Sequence, residues 1–507
     1  MEDISTGISV LQKQYWLRAM TNGSNGSVLV NSDKGSNTYY EDNMLYAGIK
    51  QSEFMKEYEP TSHKIMSSDF YPDILKFDEK GIPFYEKITR VPFAFQQIIL
   101  TKQLTALCGN PTRFRVPNAK LNNKVEETFA EWKEGWAVKD MDILIYEAFE
   151  SIGKTGDVAV YMYMDESGIL RHSVFSYAKG DILYPHYNKY GDIELLARRY
   201  SGLNSDGELS VMIDVFTDTK KYTLEVDTKD TQRKLTFCSG KYKIEGFRPA
   251  SKPFVHGIGF CPVGYYKDPK GAWWTPSQKT IEEYEWNFSC LAHSNQAFAF
   301  PIMYIKGSKV KIEADMIRNS VKAIMLPKEG DAGFLNRPDG SASFDMQLKK
   351  LYDMIYQQSF AVNPPEVRSG DLPGVAIKLL YSPSIEKASE MAKKLNPFLD
   401  VLVSMFTHLY GLEKNKLKEF KELNVYAYQE PYVHQNDTEV MTNLEKGVQG
   451  GFVSRKTATE VSPYSNNNEV DRLTQQEEDL KEEDLLLDLK VEEYDNKQAK
   501  GDSNKEE

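Results

Sequence analysis

The feature that most constrains the fold is an apolar repeat between residues 385 and 409. Apolar residues recur there at alternating spacings of three and four, which is the period of an α-helix with one buried face. The repeat predicts a long helix packed along its length, and Pro397 within it removes a backbone donor and should bend it. The repeat consists of Ile385, Ala388, Ala392, Leu395, Leu399, Leu402, Phe406 and Leu409.

A polar segment punctuated by glycine and proline runs directly into this helix. The segment Arg368-Ser369-Gly370-Asp371-Leu372-Pro373-Gly374 follows a second helical pattern at Met346–Phe360, so it joins two helices. Its glycines and proline suit a sharp change of chain direction. The residues alone leave three interpretations open: a hinge, a ligand clamp or the inner rim of a ring.

Composition excludes several classes of protein. The 507 residues allow several packed units. The four cysteines form no CxxC pair and the histidines show no ligand spacing, so we expect no disulfide framework, metal or cofactor. Residues 1–15 lack a signal-peptide pattern, and no window approaches the roughly 20 apolar residues of a membrane span.

The net charge is unevenly distributed along the chain. Residues 469–507 contain 15 acidic and 6 basic residues, so of the total net charge of −12 only −3 belongs to the first 468 residues. A near-neutral body with an acidic tail argues against tight, sequence-specific DNA binding.

Before the repeat, the pattern predicts an α+β fold with an antiparallel, hairpin-rich sheet. Residues 1–70 are expected to be loosely ordered, with a short helix around residues 8–20. The predicted helices span 92–108, 123–136 and 140–152, and the predicted strands span 158–164, 193–199, 211–217, 222–226 and 234–237.

The next segment predicts a stalk with a small knob at its end. Thr275, Pro276 and Gln278 together suggest a capping box at the start of a helix that runs to about residue 298. The helical pattern at Met346–Phe360 predicts a second helix, which runs back along the first. Between them, a small α/β insertion is expected, with a strand at 302–306, a helix at 314–319 and a strand at 323–326.

Two motifs suggest other chemistry. Gly153-Lys154-Thr155 invites a phosphate-loop interpretation, but a helical pattern precedes it and a strand follows, which is the reverse of a phosphate loop. A helix-to-strand turn is the better prediction. Trp273 and Trp274 could form a ligand platform, although a hydrophobic contact at the foot of the stalk helix accounts for them better. No nucleophile–base arrangement stands out, so no enzymatic activity is predicted.

The order of these features resembles the portal proteins of tailed double-stranded-DNA bacteriophages of the long-tailed type. The matching segments are Arg90-Val91-Pro92-Phe93 through Pro111, Gly153 to Met164, Gly259-Phe260-Cys261-Pro262-Val263, Ile281 to Gly307, Gly374-Val375-Ala376-Ile377-Lys378 and Gly451-Phe452-Val453-Ser454-Arg455-Lys456-Thr457. Each motif is weak alone, and their order and spacing make the match specific.

The resemblance implies a multi-domain subunit of a ring with a central channel. Its parts would be a wing at 1–275, stem helices at 276–298 and 345–360, a clip at 299–344, a tunnel loop at 361–375, a second wing part with the long kinked helix at 376–447 and a crown with the acidic tail at 448–507.

The implied function is a structural head–tail connector vertex, through which DNA is packaged and ejected without sequence specificity. The implied partners are further copies in a ring (usually a dodecamer), double-stranded DNA, the terminase motor, a head–tail adaptor, and the major capsid and scaffolding proteins. The protein would reside in the virion and, during assembly, in the host cytoplasm.

Two sets of site residues follow from the resemblance. The tunnel loop facing DNA would include Asn363, Arg368, Ser369, Gly370, Asp371, Pro373 and Gly374. The clip surface that contacts motor and connector would include Lys306, Lys309, Lys311, Arg318 and Lys322.

Three hypotheses therefore stand beside one another. The first is a portal, the second a nucleotide hydrolase using Gly153-Lys154-Thr155, and the third a non-portal scaffold or adaptor that associates through the apolar repeat at 385–409. The neutral body, the stalk before the glycine-rich segment and the repeat after it favour an inner ring edge, which agrees with the first.

Overall fold

The structure, a computed structural model, describes most of the chain in two compact units. The first unit comprises Met1–Glu366 and Pro383–Tyr432, and the second comprises Val367–Ser382 and Val433–Glu507. The described residues are 36–40, 49–77, 81–117, 123–188, 190–204, 207–226, 234–238, 241–297, 302–306, 331–335, 341–362, 374–432, 437–465, 469 and 472–476.

Both units contain α-helices. In chain order, the α-helices of the described residues are α1 (Ile49–Tyr58), α2 (Phe95–Cys108), α3 (Asn123–Val138), α4 (Met141–Thr155), α5 (Gln278–Ala297), α6 (Ser341–Ser359), α7 (Gly374–Glu413), α8 (Leu417–Glu422), α9 (Asp437–Gln449) and α10 (Arg455–Val461).

The strands of the described residues are β1 (Ser36–Tyr40), β2 (Ile74–Phe77), β3 (Pro83–Glu86), β4 (Arg113–Arg115), β5 (Asp157–Met164), β6 (Leu170–Phe175), β7 (Ile182–Tyr187), β8 (Ile193–Leu203), β9 (Leu209–Phe216), β10 (Lys220–Val226), β11 (Lys234–Cys238), β12 (Lys241–Glu245), β13 (Phe247–Pro249), β14 (Phe254–Val255), β15 (Val263–Lys267), β16 (Ile302–Lys306), β17 (Asp331–Leu335) and β18 (Tyr426–Tyr428). Most of the strands, β5 to β15, lie in one stretch of the chain between α4 and α5.

The sheets are antiparallel wherever the structure describes a pairing. The largest has the order β13-β10-β9-β8-β7 with β14 beside β10, and β15-β5-β6 and β1-β11-β12 form three-stranded sheets. Three further pairs are β16-β17, β18-β4 and β2-β3. This mixture of helices with hairpin-linked strands confirms the α+β prediction.

The apolar repeat on α7 lies at the centre of the main core. Every position of the repeat from Ala388 to Leu409 is buried, while Ile385 is half-buried. Trp132 and Trp136 of α3 meet the ring of Phe406 with centroids 5.4 and 5.1 Å away. The predicted long packed helix is confirmed. It contains Pro397 as expected and also Pro383, and the bend at Pro397 stays a prediction.

The predicted capping box at Thr275 is wrong. Thr275–Ser277 form a single 3-10 turn, and α5 begins after it at Gln278. The Thr275 hydroxyl donates to the carbonyl oxygen of Ala272 (2.6 Å), and the Gln278 side chain accepts from the amide of Gln96 (3.0 Å). Both side chains that were expected to form the cap therefore make hydrogen bonds to other groups.

The expectation of loose order up to residue 70 is wrong for residues 49–66. Helix α1 lies there, followed by 3-10 turns at Pro60–Ser62 and Lys64–Met66. These elements are fixed by distant partners, because the indole of Trp274 donates to Glu57 (2.9 Å) and His63 pairs with Glu285 (2.7 Å). The helix predicted at 8–20 lies outside the described residues.

The second unit is a small helical segment with little interior of its own. Helices α9 and α10 contribute most of it, and the Ser454 hydroxyl caps α10 by accepting from the Thr457 amide (3.1 Å). None of its residues whose burial the structure describes is buried. Most of the acidic tail lies outside the described residues. Within the described ranges, no helix combines the length and apolarity that a bilayer crossing needs.

Candidate functional site

The predicted stalk is present as the antiparallel pair α5 and α6. Tyr284 of α5 faces Tyr352 of α6 at 6.3 Å between ring centroids, and Phe95 of α2 lies edge-on to both at 5.4 and 5.9 Å. The Thr280 hydroxyl donates to Gln358 at 2.9 Å. Edge-to-face ring contacts add to burial, so the end of the pair nearest the body is held firmly.

The far end of the pair carries the region predicted as a knob. Strand β16 lies where predicted, at Ile302–Lys306, and pairs with β17, which was not predicted. Lys306 is exposed and stands in register with Asp331. The other candidate cations, Lys309, Lys311, Arg318 and Lys322, lie outside the described residues, as do the predicted helix 314–319 and strand 323–326.

Residues 359–362, which lead from the end of α6 towards the segment with the glycines, are here called the loop root. The loop root is fixed to two helices. The carbonyl oxygens of Ser359 and Val362 accept from the side chains of Gln103 (2.7 Å) and Lys102 (2.9 Å) of α2. On the other side, the Ser384 hydroxyl of α7 donates to the carbonyl oxygen of Phe360 (2.7 Å).

The backbone at the loop root is itself unusual. Phe360 adopts a left-handed conformation with φ 57°, which a bulky residue takes only when its surroundings hold it there. Ala361 and Val362, which follow, are both buried, and Ala361 belongs to the main core. The chain therefore leaves α6 at a fixed point and in a fixed direction.

The residues predicted to act in this segment remain predictions. Asn363, Arg368, Ser369, Gly370, Asp371 and Pro373 lie outside the described residues. Gly374 is the first residue of α7, so Gly374 and Val375, which were predicted to belong to the tunnel loop, belong to the helix.

Lys102 is a cation at the loop root that sequence reasoning missed. Partial burial lowers its pKa, and among the described residues its side chain makes no ion pair; its partner is the Val362 carbonyl, 260 positions away. No local pattern indicates such a contact, because the acceptor is a backbone group from a distant part of the chain.

The alternative nucleotide site is not formed. Gly153-Lys154-Thr155 close α4 and Gly156 (φ 83°) turns the chain into β5, so the helix precedes the triplet as predicted. Lys154 bonds Glu150 (2.8 Å), and the Thr155 hydroxyl donates to the Ser151 carbonyl oxygen (2.9 Å). Both polar side chains are thus used by the turn itself.

The tryptophan pair is part of the core, as its alternative interpretation predicted. Trp274 is fully buried and its indole N–H bonds Glu57, whose pKa burial raises. Trp273 lies against Gly153, where an added Cβ would come within 3.0 Å of its ring. Both rings therefore serve mainly as packing groups of the core.

The adaptor alternative fails on the same ground. The apolar repeat of α7 is covered by this chain's own helices and strands, so it offers no face for association. Among the described residues, no group of histidine, cysteine and carboxylate side chains could hold a metal ion.

Comparisons with known proteins identify the family of this chain. The family model described as "Phage portal protein, SPP1 Gp6-like" matches residues 37–483. A curated relative from Bacillus phage SPP1, described as "Portal protein", is 23% identical over 407 residues that cover 77% of this chain and 76% of the relative.

Two solved structures are similar at low scores. One is described as the neck of an empty gene transfer agent particle computed with C6 symmetry (TM-score 0.36, 11% identity, 75% of this chain and 90% of that chain). The other is a virion of a native gene transfer agent particle (TM-score 0.35, 11% identity, 91% and 98%).

Proposed function

The chain belongs to the SPP1 Gp6-like family of phage portal proteins, and from this premise we propose that its copies assemble into a ring through which double-stranded DNA passes. Family membership gives the chain a structural role at the portal vertex of a phage particle. The proposal adds the closed ring, with twelve copies as its expected number, and the passage of DNA through its centre during packaging and ejection.

The loop root is the observation that carries the proposal. A segment that touches moving DNA must be free at its tip and fixed at its base, because otherwise the force on the tip would displace the whole chain. Gln103, Lys102 and Ser384 fix the carbonyl groups of residues 359–362 from two helices. We propose that residues 363–373 form the tunnel loop beyond this base, and that Gly374 at the start of α7 closes it.

Charge supports the same function. Each phosphate that a protein neutralises adds affinity, so a channel lined with many cations would hold DNA in place. The first 468 residues carry a net charge of only −3, and Arg368 is the one cation of the proposed tunnel loop. DNA would slide past such a surface.

The ends of the subunit would serve the other partners. We propose that the clip, including Lys306 on β16, contacts the terminase motor during filling and the head–tail adaptor afterwards, and that the wing contacts the capsid and scaffolding proteins. Assembly would take place in the host cytoplasm.

A packaging assay tests the tunnel loop directly. Arg368→Ala and a variant with residues 368–371 deleted should lower the rate or length of DNA packaging, because both change the loop and leave the root intact. Arg171→Ala is the matched control: this arginine is exposed and pairs with Asp165 on the surface (3.1 Å). Normal packaging by both loop variants would contradict the role of the loop.

A further inference from the structure

Strands β2 and β3 expose an unusual amount of apolar surface. Leu75, Phe77 and Tyr85 are 49%, 65% and 70% exposed, and Pro83 is exposed as well. Contiguous exposed apolar surface of this kind marks an interaction site in a soluble protein. The proposed portal function assigns the wing as a whole to the capsid and scaffolding proteins and gives no specific role to this pair of strands.

The two faces of the pair differ in character. In the observed register, Leu75 stands opposite Tyr85 and Phe77 opposite Pro83, so these four residues share one face, here called the apolar face. The opposite face carries Lys76 and Glu86, which form an ion pair beside Ile74 and Phe84. This second face is mixed, because Ile74 and Phe84 are 41% and 46% exposed beside the ion pair, whereas the apolar face carries no charged side chain.

The base of the pair is firmly held. Asp73 accepts from the Arg90 guanidinium (2.7 Å) and from the Ile88 amide (3.2 Å), which joins the two strands where they leave the body. Tyr71 stacks on Trp286 of α5 at 4.7 Å between ring centroids.

The chain after β3 is fixed to the same helix. The Thr89 hydroxyl donates to Gln296 (2.7 Å) and the Val91 amide to the hydroxyl of Ser289 (3.0 Å). These contacts fix β2 and β3 to α5. The apolar face is therefore held in one position, which a permanent contact requires.

From these observations we propose that the apolar face packs against a neighbouring copy of this chain, a subunit contact that rests on the proposed ring. An isolated pair of strands is at best marginally stable in water, so the face needs a cover for as long as the protein is assembled. The motor and the adaptor would bind in succession, whereas a neighbouring subunit stays.

Position and charge point to the same partner. The strands are mounted on the stem helix α5, and each stem in a closed ring has a neighbour on both sides. The apolar face carries no charged side chain, which disfavours DNA, whose phosphates attract cations. In a ring, each subunit contacts its two neighbours through two different surfaces. The apolar face of one copy would therefore pack against a different surface of the next copy.

Photo-crosslinking tests the contact. A benzophenone amino acid in place of Tyr85 should crosslink purified, assembled protein into multiples of the subunit mass, with peptides of the same chain on both sides of the link. The control places the benzophenone at Tyr190, which is 77% exposed on another hairpin and should give little crosslinking. Crosslinks from position 85 only to capsid protein in particles, or none in assembled rings, would overturn the proposal.

A second variant measures what the contact contributes. The double variant Phe77→Ser with Tyr85→Ser should keep the melting temperature of the monomer and reduce the fraction of chains in rings at least tenfold. Phe254→Ser, an exposed apolar position on β14, is the matched control and should assemble normally.

The outcomes separate this proposal from the one on which it rests. Wild-type protein that never forms rings contradicts the proposed ring itself. Normal ring formation by the double variant leaves the ring in place and overturns only the subunit contact.

Discussion

Two regions of the first unit are rich in large apolar side chains and place them in opposite environments. On α7 the repeat from Ala388 to Leu409 is buried, and Phe406 has no exposed surface. On β2 and β3 the side chains of Phe77 and Tyr85 are mostly exposed. The first set finds its partners within the chain, whereas we propose that the second set finds them on a neighbouring copy.

Residue type alone therefore does not determine whether an apolar side chain packs within its own chain or against another molecule. Apolar side chains in both regions drive burial equally strongly per unit area. The helical repeat is covered by other helices and strands of its own chain, whereas β2 and β3 leave the side chains of Phe77 and Tyr85 mostly exposed. The difference gives each region a different measurable consequence.

The largest expected effect is in the core. Phe406→Ala should lower the free energy of unfolding by about 4 kcal/mol, because it leaves a cavity beneath Trp132 and Trp136. Val401→Ala on the same helix is the matched control, since Val401 is 47% exposed, and it should change stability by less than about 0.5 kcal/mol. Equal losses of stability for the two variants in chemical denaturation would contradict the burial of Phe406.

Polar contacts allow a similar test at smaller size. His63 and Glu285 are both buried and 2.7 Å apart, and Glu285 also accepts from the Phe93 amide. His63→Ala should cost about 3 kcal/mol because it leaves a buried carboxylate short of a partner.

The neighbouring pair of Lys64 with Glu282 (2.9 Å) provides the control. It joins the same turn to the same helix at the surface, with 49% of the lysine side chain exposed. Lys64→Ala should therefore cost at most about 1 kcal/mol. A larger loss at Lys64 than at His63 would contradict the assigned burial.

A pH titration probes the edge of the core. Burial raises the pKa of Asp157 to about 6, although Lys267 and hydrogen bonds from Gln51 and Tyr265 act in the opposite direction. Since the folded state holds this proton more tightly than the unfolded state, the group destabilises the protein above about pH 6, and the effect is relieved as the pH falls.

The measurement compares the wild type with Asp157→Asn. From pH 7 to pH 4 their difference in free energy of unfolding should move by about 2 kcal/mol in favour of the wild type. A difference that is constant across this range would show that Asp157 is not buried as a carboxylate.

The smallest expected effect is on the exposed strands. Phe77→Ser in the monomer should change the free energy of unfolding by less than about 0.5 kcal/mol, because the side chain loses little burial. Thermal melting at low protein concentration measures it. A loss comparable with that of Phe406→Ala would mean that Phe77 is covered within its own chain.

Much of the fold follows from local pattern. The apolar repeat predicted α7, the local sequence predicted β16 at Ile302–Lys306, and the order of helix before strand correctly argued against a nucleotide site at Gly153-Lys154-Thr155. In each case the residues that decide the structure are close together in sequence.

What could not be predicted depends on distant partners. Strand β17 has the sequence Asp-Ala-Gly-Phe-Leu, which lacks strand alternation and becomes a strand by pairing with β16. The contacts of Gln103 with Ser359 and of Lys102 with Val362 join positions more than 250 residues apart. The capping box failed because Gln96 and Ala272 compete for its side chains. The roles of Arg368 and the clip lysines stay predictions.

Electron microscopy of the purified protein tests whether it forms the proposed ring. We expect rings with a central hole, with α5 and α6 around the hole and the apolar face of β2 and β3 at each subunit contact. Wild-type protein that remains monomeric at all concentrations and in the presence of its capsid partners, or rings in which β2 and β3 face solvent, would contradict this expectation.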